Sequence, residues 1–171
     1  MTARSRACIA AVVVASAGFV AGCGNGTSVA NPFNTAPPVL KHGPAYEITT
    51  GNVAGLGTVL VDGQGITVYM YATDIQGHPS RCYDICAVQW PPVVLPSGVT
   101  RPVAGPGIRP ALLATNPRTD GTTQITYNGW PLYLWPPDRA PGKATGQALT
   151  NAGGLWYVLS PAGNPIVTPA P

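Results

Sequence analysis

Short runs of β-branched and aromatic residues, cut apart by glycine, proline and asparagine, set the pattern of the chain after residue 45. Val59-Leu60-Val61 and Ile66-Thr67-Val68-Tyr69-Met70-Tyr71 lie either side of a turn containing Asp62-Gly63, and Thr122 to Tyr127 and Trp130 to Trp135 lie either side of Asn128-Gly129. Both arrangements predict β-hairpins. Asn-Gly is the stronger signal, because both central residues of a type I′ turn need positive φ. Asp120-Gly121, preceded by Ala111 to Thr115, predicts a third hairpin, and Tyr46 to Thr49 and Trp156 to Ser160 predict further strands. Pro131 has no amide donor, so its strand is expected at an edge or to begin with a bulge. The Ile66 and Trp130 strands carry β-branched and aromatic residues on both faces, which predicts cover on both sides. No extended window after residue 45 keeps a helical period without Gly or Pro, and Cys82 to Trp90 is the one helical candidate. The expected fold is all-β: a small pseudo-two-fold sandwich or barrel built from two hairpin repeats, with at most one short helix near residues 82–90.

The amino-terminal pattern is different. Arg4 and Arg6 precede an almost wholly apolar run from Ala7 to Gly22, the composition of a secretory signal. The run is shorter than the roughly 18 apolar residues of a membrane-spanning helix. It ends in Val20-Ala21-Gly22-Cys23, which looks like a bacterial lipobox: small residues fit the peptidase, and the Cys23 thiol takes a diacylglyceryl group. Two or three acyl chains there satisfy the rule that stable anchoring needs more than one, at about 0.8 kcal/mol per buried methylene. Residues 1–22 are therefore expected to be a lipoprotein signal peptide. Residues 23–43, polar and rich in Asn, Thr, Gly and Pro, are expected to be a flexible linker. Residues 44–171 form the folded domain, with repeats at about 55–95 and 115–162, and that length buries a core without help from a metal.

Composition narrows the partners. Charged residues make up 9% of the chain, against about 25% in an average soluble domain, which argues against exposed helical bundles. The formal charge is +3, and cutting after residue 22 removes Arg4 and Arg6 and leaves +1. A nucleic-acid partner would need a dense basic face, which the chain lacks. Four cysteines permit three pairings, but Cys8 leaves with the signal and Cys23 carries lipid. Cys82 and Cys86 remain, and export places them in an oxidising compartment. One helical turn between them would bring both to the same face, so a local disulfide is expected.

A shift of 64 residues lays Val61, Gly65, Val68, Tyr69, Tyr71 and Asp74 onto Ile125, Gly129, Leu132, Tyr133, Trp135 and Asp138. The repeated unit is Tyr-x-aromatic-x-x-Asp after a hairpin. With Cys82-Tyr83-Asp84-Ile85-Cys86, Trp90-Pro91-Pro92 and Gly154-Leu155-Trp156-Tyr157-Val158, the chain resembles the bacterial secreted-repeat lipoproteins of unknown function. That family is marked by a Y-x-[FWY]-x-x-D motif and is common in actinobacteria, including mycobacteria. The resemblance implies location and architecture rather than an activity, and the second copy lacks the cysteine pair.

Residues two apart in a strand share a face, so Tyr69 with Tyr71 and Tyr133 with Trp135 are expected to stack and to meet in one aromatic cluster. Asp74 and Asp138 have two readings. As turn residues they accept backbone N–H bonds in Asx-turns; as a functional pair they flank a shared cleft, binding sugar or acting as glycosidase-like acid and nucleophile. The turn role is preferred. Asp74, His78, Cys82 and Cys86 recur every four residues, but Gly77 and Pro79 break the helix that would line them up as metal ligands. No metal or other cofactor is therefore expected. The Cys-x-x-x-Cys spacing in an all-β chain departs from thioredoxin-like Cys-x-x-Cys and favours a structural bridge. The serines at 80, 97 and 160 lack a nucleophile-elbow setting, His42 lies in the linker, and no nucleophile can be paired with a base. The chain is thus expected to be a non-enzymatic, lipid-anchored envelope module that binds or scaffolds, its partners being the membrane and a cell-wall glycan or envelope protein. The alternative is a redox or metal- and ligand-carrying envelope protein using Cys82 and Cys86.

Overall fold

The computed structural model describes residues 43–169; the signal, Cys23 and the linker up to His42 lie outside the described residues. The chain runs through strands β1 (Glu47–Val53), β2 (Gly57–Asp62) and β3 (Val68–Tyr71), the short helix α1 (Ile85–Gln89), and β4 (Val103–Ala104). A 3-10 turn at Pro110–Leu112 follows. Then come β5 (Leu113–Pro117), β6 (Thr123–Tyr127), β7 (Trp130–Pro131), β8 (Tyr133–Leu134), β9 (Thr150–Asn151) and β10 (Gly154–Val158). Three open sheets result, in the orders β2-β1-β4, β8-β3-β10-β9 and β5-β6-β7. The architecture is an all-β sandwich and not a closed barrel. No helix among the described residues is long and apolar enough to cross a membrane.

Period-two alternation in the central sheet divides the interior in two. On β3, Tyr69 and Tyr71 face one cluster, while Val68 and Met70 face the other. On β10, Trp156 and Val158 take the first side and Tyr157 the second; Tyr133 and Leu134 of β8 divide likewise. One face of the sheet is therefore aromatic. Val59, Val61, Cys82, Trp90 and Ala144 cover it. The other face is aliphatic and packs with Ile48, Leu60, Ile125 and Tyr127. β3 is buried at all four positions, as its two-sided apolar sequence requires.

The Asn128-Gly129 hairpin forms as the dipeptide predicts, with φ of 49° and 77° and Tyr127 opposite Trp130. Gly129 is doubly constrained, since an added Cβ would come 2.8 Å from the Gly77 nitrogen. The Asp120-Gly121 loop also joins paired strands, β5 and β6. Two expectations need correction. The turn at Asp62 exists, but pairing across it stops at a single Val61–Thr67 bridge, because the Asp62 carboxylate takes the amides of Gln64 and Ile66 and β3 is flanked on both edges by β8 and β10. The Trp130 to Trp135 strand is likewise divided. Trp130 and Pro131 pair with β6, and Tyr133 and Leu134 pair with β3 in another sheet. Pro131 lies on the edge strand of its sheet, where a missing donor is tolerated.

Candidate functional site

β3 and β8 are the matching strands of the two repeats, and they pair antiparallel with Tyr69 opposite Tyr133. That register places the two tyrosines about a local two-fold relation, so whatever one does to the other half is returned. Tyr69 donates its hydroxyl proton to Asp138 Oδ2. Tyr133 donates to Asp74 Oδ2 at 2.6 Å. Each phenol of one repeat thus serves the carboxylate of the other. The second carboxylate oxygens repeat the relation: Asp74 Oδ1 accepts the Arg81 amide at 2.7 Å, and Asp138 Oδ1 accepts the Thr145 amide at 2.9 Å and its hydroxyl at 2.6 Å. Both acceptors sit seven residues before their amide donor. The turn role is thereby observed in kind, over a loop wider than the Asx-turn expected.

The proton chains into the two phenols differ. On one side the Gly146 amide donates directly to the Tyr69 oxygen at 3.2 Å. On the other, Ser80 intervenes: the Cys82 amide donates to Ser80 Oγ at 2.9 Å, and the Ser80 hydroxyl in turn donates to the Tyr133 oxygen at 2.6 Å. Asp74 and Asp138 are 4% and 3% exposed. Burial pushes the Asp74 carboxyl above the ordinary carboxylate range, opposed by the Tyr133 hydroxyl, the Arg81 amide and the positive charge of Arg118 and Arg81. Burial also raises both phenols, reinforced at Tyr69 by the hydrogen bond and charge of Asp138, and at Tyr133 by the charge and hydrogen bond of Asp74.

The rings obey the same symmetry. Trp90 and Trp156 stack at 3.9 Å and 2°. Trp135 lies on the outer face of Trp90 at 4.3 Å, as Tyr71 lies on that of Trp156 at 4.2 Å. Tyr69 meets Trp90 edge-on at 5.4 Å, and Tyr133 meets Trp156 edge-on at 5.1 Å. The expected cluster exists, but the tyrosines stack through the indoles rather than on each other. Both indole N–H groups end on Asn151, one on its side-chain oxygen at 3.0 Å and one on its carbonyl at 2.9 Å.

Cys82 and Cys86 form the expected disulfide, with Cα atoms 5.2 Å apart. Cys86 lies in α1 and Cys82 just before it; Cys82 is fully buried against the aromatic cluster. With the thiols paired and Asp74 turned to Tyr133, the four-residue series that includes His78 is not assembled as a ligand set. His78 is an exposed loop residue whose carbonyl accepts the Asn116 side chain. Three polar members of the buried centre escaped the sequence reading. Arg118, 5% exposed, donates to Gln124 Oε1 and the Cys82 carbonyl, each at 2.9 Å, and lies 4.3 Å from the Tyr83 ring centroid. Ser80 is the third.

An open recess lies away from this centre. A cleft of about 620 Å³ is lined by Glu47, Thr49, Thr50 and Asn52 of β1, by Gln64 in the turn after β2, and by Pro106 and Pro141. It falls within the roughly 300–1,000 Å³ of small-molecule sites. The Glu47 carboxylate rests against the backbone of Gly43 and Gly105, where any Cβ would collide with it.

A family model named for lipoproteins and described as a secreted repeat of unknown function matches residues 53–94 and 114–160. The chain belongs to this secreted-repeat family. No curated protein and no solved structure matches it significantly. The two family segments contain both halves of the reciprocal centre, from Tyr69 and Asp74 to Tyr133 and Asp138, together with all four stacked rings and the disulfide. Glu47, Thr49, Thr50, Asn52 and Pro106 of the cleft lie outside those segments. The secreted repeat therefore builds the frame, and the residues before it and between its copies build much of the recess.

Proposed function

We propose that this member of the secreted-repeat family is an envelope lipoprotein held to the membrane by lipid on Cys23, and that its domain is a non-catalytic module binding cell-wall glycan in the cleft beside Glu47. The carrying observation is the reciprocal centre. Asp74 and Asp138 each accept a buried phenol and a backbone amide, so neither is presented to a substrate as acid or nucleophile. The cleft instead offers the Glu47 carboxylate and the Asn52 and Gln64 side-chain amides at the surface, with the Thr49 and Thr50 hydroxyls donating to the Pro106 carbonyl and left as acceptors, groups that pair with sugar hydroxyls. The anchor is supported by Val20-Ala21-Gly22-Cys23 after an apolar run and by a family described as secreted. Thiol–disulfide exchange at Cys82 and Cys86 has less support, because Cys82 is buried and bonded.

The test has two arms. Mass spectrometry of the amino-terminal peptide should find acyl chains on Cys23, and Cys23→Ala should release the protein to the medium; an unmodified Cys23 refutes the anchor. Titration of soluble muropeptides should perturb the NMR signals of Thr49, Asn52 and Gln64, and Glu47→Gln should weaken the effect. Perturbation confined to other residues refutes the binding site.

A further inference from the structure

The aromatic centre contains an arrangement that a binding module does not require. Tyr71, Trp156, Trp90 and Trp135 form one column with centroid steps of 4.2, 3.9 and 4.3 Å. Its inner indoles are fully buried, whereas Trp135 at one end is partly exposed. Indole and phenol rings are among the most readily oxidised side chains, and rings in van der Waals contact pass an electron vacancy to one another. A buried phenol ordinarily resists one-electron oxidation, because its radical cation is a strong acid with nowhere to place the proton. Here each edge-on phenol already donates to a carboxylate, Tyr69 to Asp138 and Tyr133 to Asp74.

We propose that the paired repeats form a proton-coupled radical sink, in which a vacancy created at Trp135 passes along the stacked indoles and comes to rest on Tyr69 or Tyr133. The step balances. A diffusible one-electron oxidant, such as an oxygen-centred radical, takes one electron from Trp135 and is reduced. Trp90, in contact with Tyr69, refills Trp135; Tyr69 then supplies the electron to Trp90. The Tyr69 O–H bond breaks as an O–H bond forms on Asp138 Oδ2, leaving a neutral tyrosyl radical beside a neutral carboxylic acid. For Tyr133 the route continues through Trp156, and Asp74 receives the proton. A buried negative charge is removed in the process, which a low-dielectric interior favours. One electron from a small reductant of the quinol or thiol class returns the proton to the phenol and resets the pair. The sink needs neither the cleft nor the lipid, so it stands or falls apart from the binding reading.

Flash oxidation of the purified protein by photogenerated tris-bipyridine ruthenium(III), followed by rapid-freeze electron paramagnetic resonance, tests this. A tryptophan radical should appear first and a neutral tyrosyl radical should replace it, more slowly in heavy water than in light. Combining Tyr69→Phe with Tyr133→Phe should abolish the tyrosyl signal and prolong the tryptophan one, and combining Asp74→Asn with Asp138→Asn should suppress the tyrosyl yield. A tyrosyl yield unchanged by the two Phe substitutions means that peripheral tyrosines carry the radical, and overturns the proposal. Should those variants fail to fold, the unaltered protein and Trp135→Leu decide: equal rates in the two waters, or undiminished radical formation without Trp135, overturns it equally.

Discussion

Removing the Tyr69 hydroxyl isolates the reciprocal bond that joins the repeats. Tyr69→Phe leaves the ring packing in place but deprives Asp138 Oδ2 of its donor and the Gly146 amide of its acceptor. A hydrogen bond to a charged group contributes about 1.5–3 kcal/mol, and a buried group left without a partner costs about 1–3 kcal/mol, so a loss of about 2.5–6 kcal/mol is expected. Tyr133→Phe should cost less, about 2 kcal/mol, because the Ser80 hydroxyl can turn back to the Cys82 carbonyl, 3.3 Å away, and only the bond to Asp74 is forfeited. Urea unfolding of wild type, Tyr69→Phe, Asp138→Ala and the double variant gives the coupling between the two groups. It should be about 1.5–3 kcal/mol across the repeats, against less than about 0.5 kcal/mol for Tyr69 with Asp74 of its own repeat. A within-repeat coupling larger than the cross-repeat one would falsify the reciprocal arrangement.

Other outcomes follow from the same centre. The native state binds protons more readily than the unfolded chain at Asp74 and Asp62, both raised by burial; their stabilising effect is complete below the unfolded value near 3.9 and is lost as pH rises through the folded values. Asp74→Asn should therefore flatten the fall in melting temperature above about pH 4, and an unchanged slope would contradict the burial argument. Asp120, held at about 2 first by the Thr122 hydroxyl and then by the Thr122 amide, works in the opposite sense. Its contribution is present above the unfolded value and disappears as pH falls towards 2. Gly146→Ala would set a Cβ 2.7 Å from the Trp90 ring and should cost about 1–3 kcal/mol by overpacking, with loss of near-ultraviolet dichroism from the stack. Gly77→Ala, with φ of 82° but open space around it, should cost about 1–2 kcal/mol and leave that signal intact. Reducing Cys82–Cys86 opens only a five-residue ring and should lower stability by about 2 kcal/mol, measured by urea titration with and without reductant; global unfolding on reduction would contradict the local role.

What the sequence disclosed follows from how local each signal is. Asn128-Gly129 names its own turn, because two consecutive positive φ angles are a property of those residues. The 64-residue shift disclosed the repeat, and with it Tyr69, Tyr133, Asp74 and Asp138. Their cross-pairing was not legible, since within either repeat the spacing from Tyr to Asp is the same whichever carboxylate the phenol meets. The Asp62 turn misled for a related reason: its residues specify a reversal but not which sheet the next strand joins. Arg118 was overlooked because one arginine after a proline carries no pattern. Its burial becomes explicable only in the structure, where the guanidinium is held by Asp120, by Gln124 and, 36 residues away, by the Cys82 carbonyl.

Reciprocity explains why the two copies form one domain rather than two. An isolated repeat would contain a buried aspartate without its phenol and a tryptophan without the ring that covers it, since the partner of each is in the other copy. A buried carboxylate without donors is costly, and a bare indole exposes much of the area that makes it stabilising. Neither repeat can therefore satisfy its interior alone, and association relieves both deficits at once. The polar centre contributes more to orientation than to net stability, because the Tyr69–Asp138 and Tyr133–Asp74 bonds form together only in the antiparallel register that also superposes Trp90 on Trp156. A slip of one residue between β3 and β8 would leave Tyr69 on the aromatic face and turn Tyr133 to the aliphatic one. The cost of the polar groups so separated is what fixes that register.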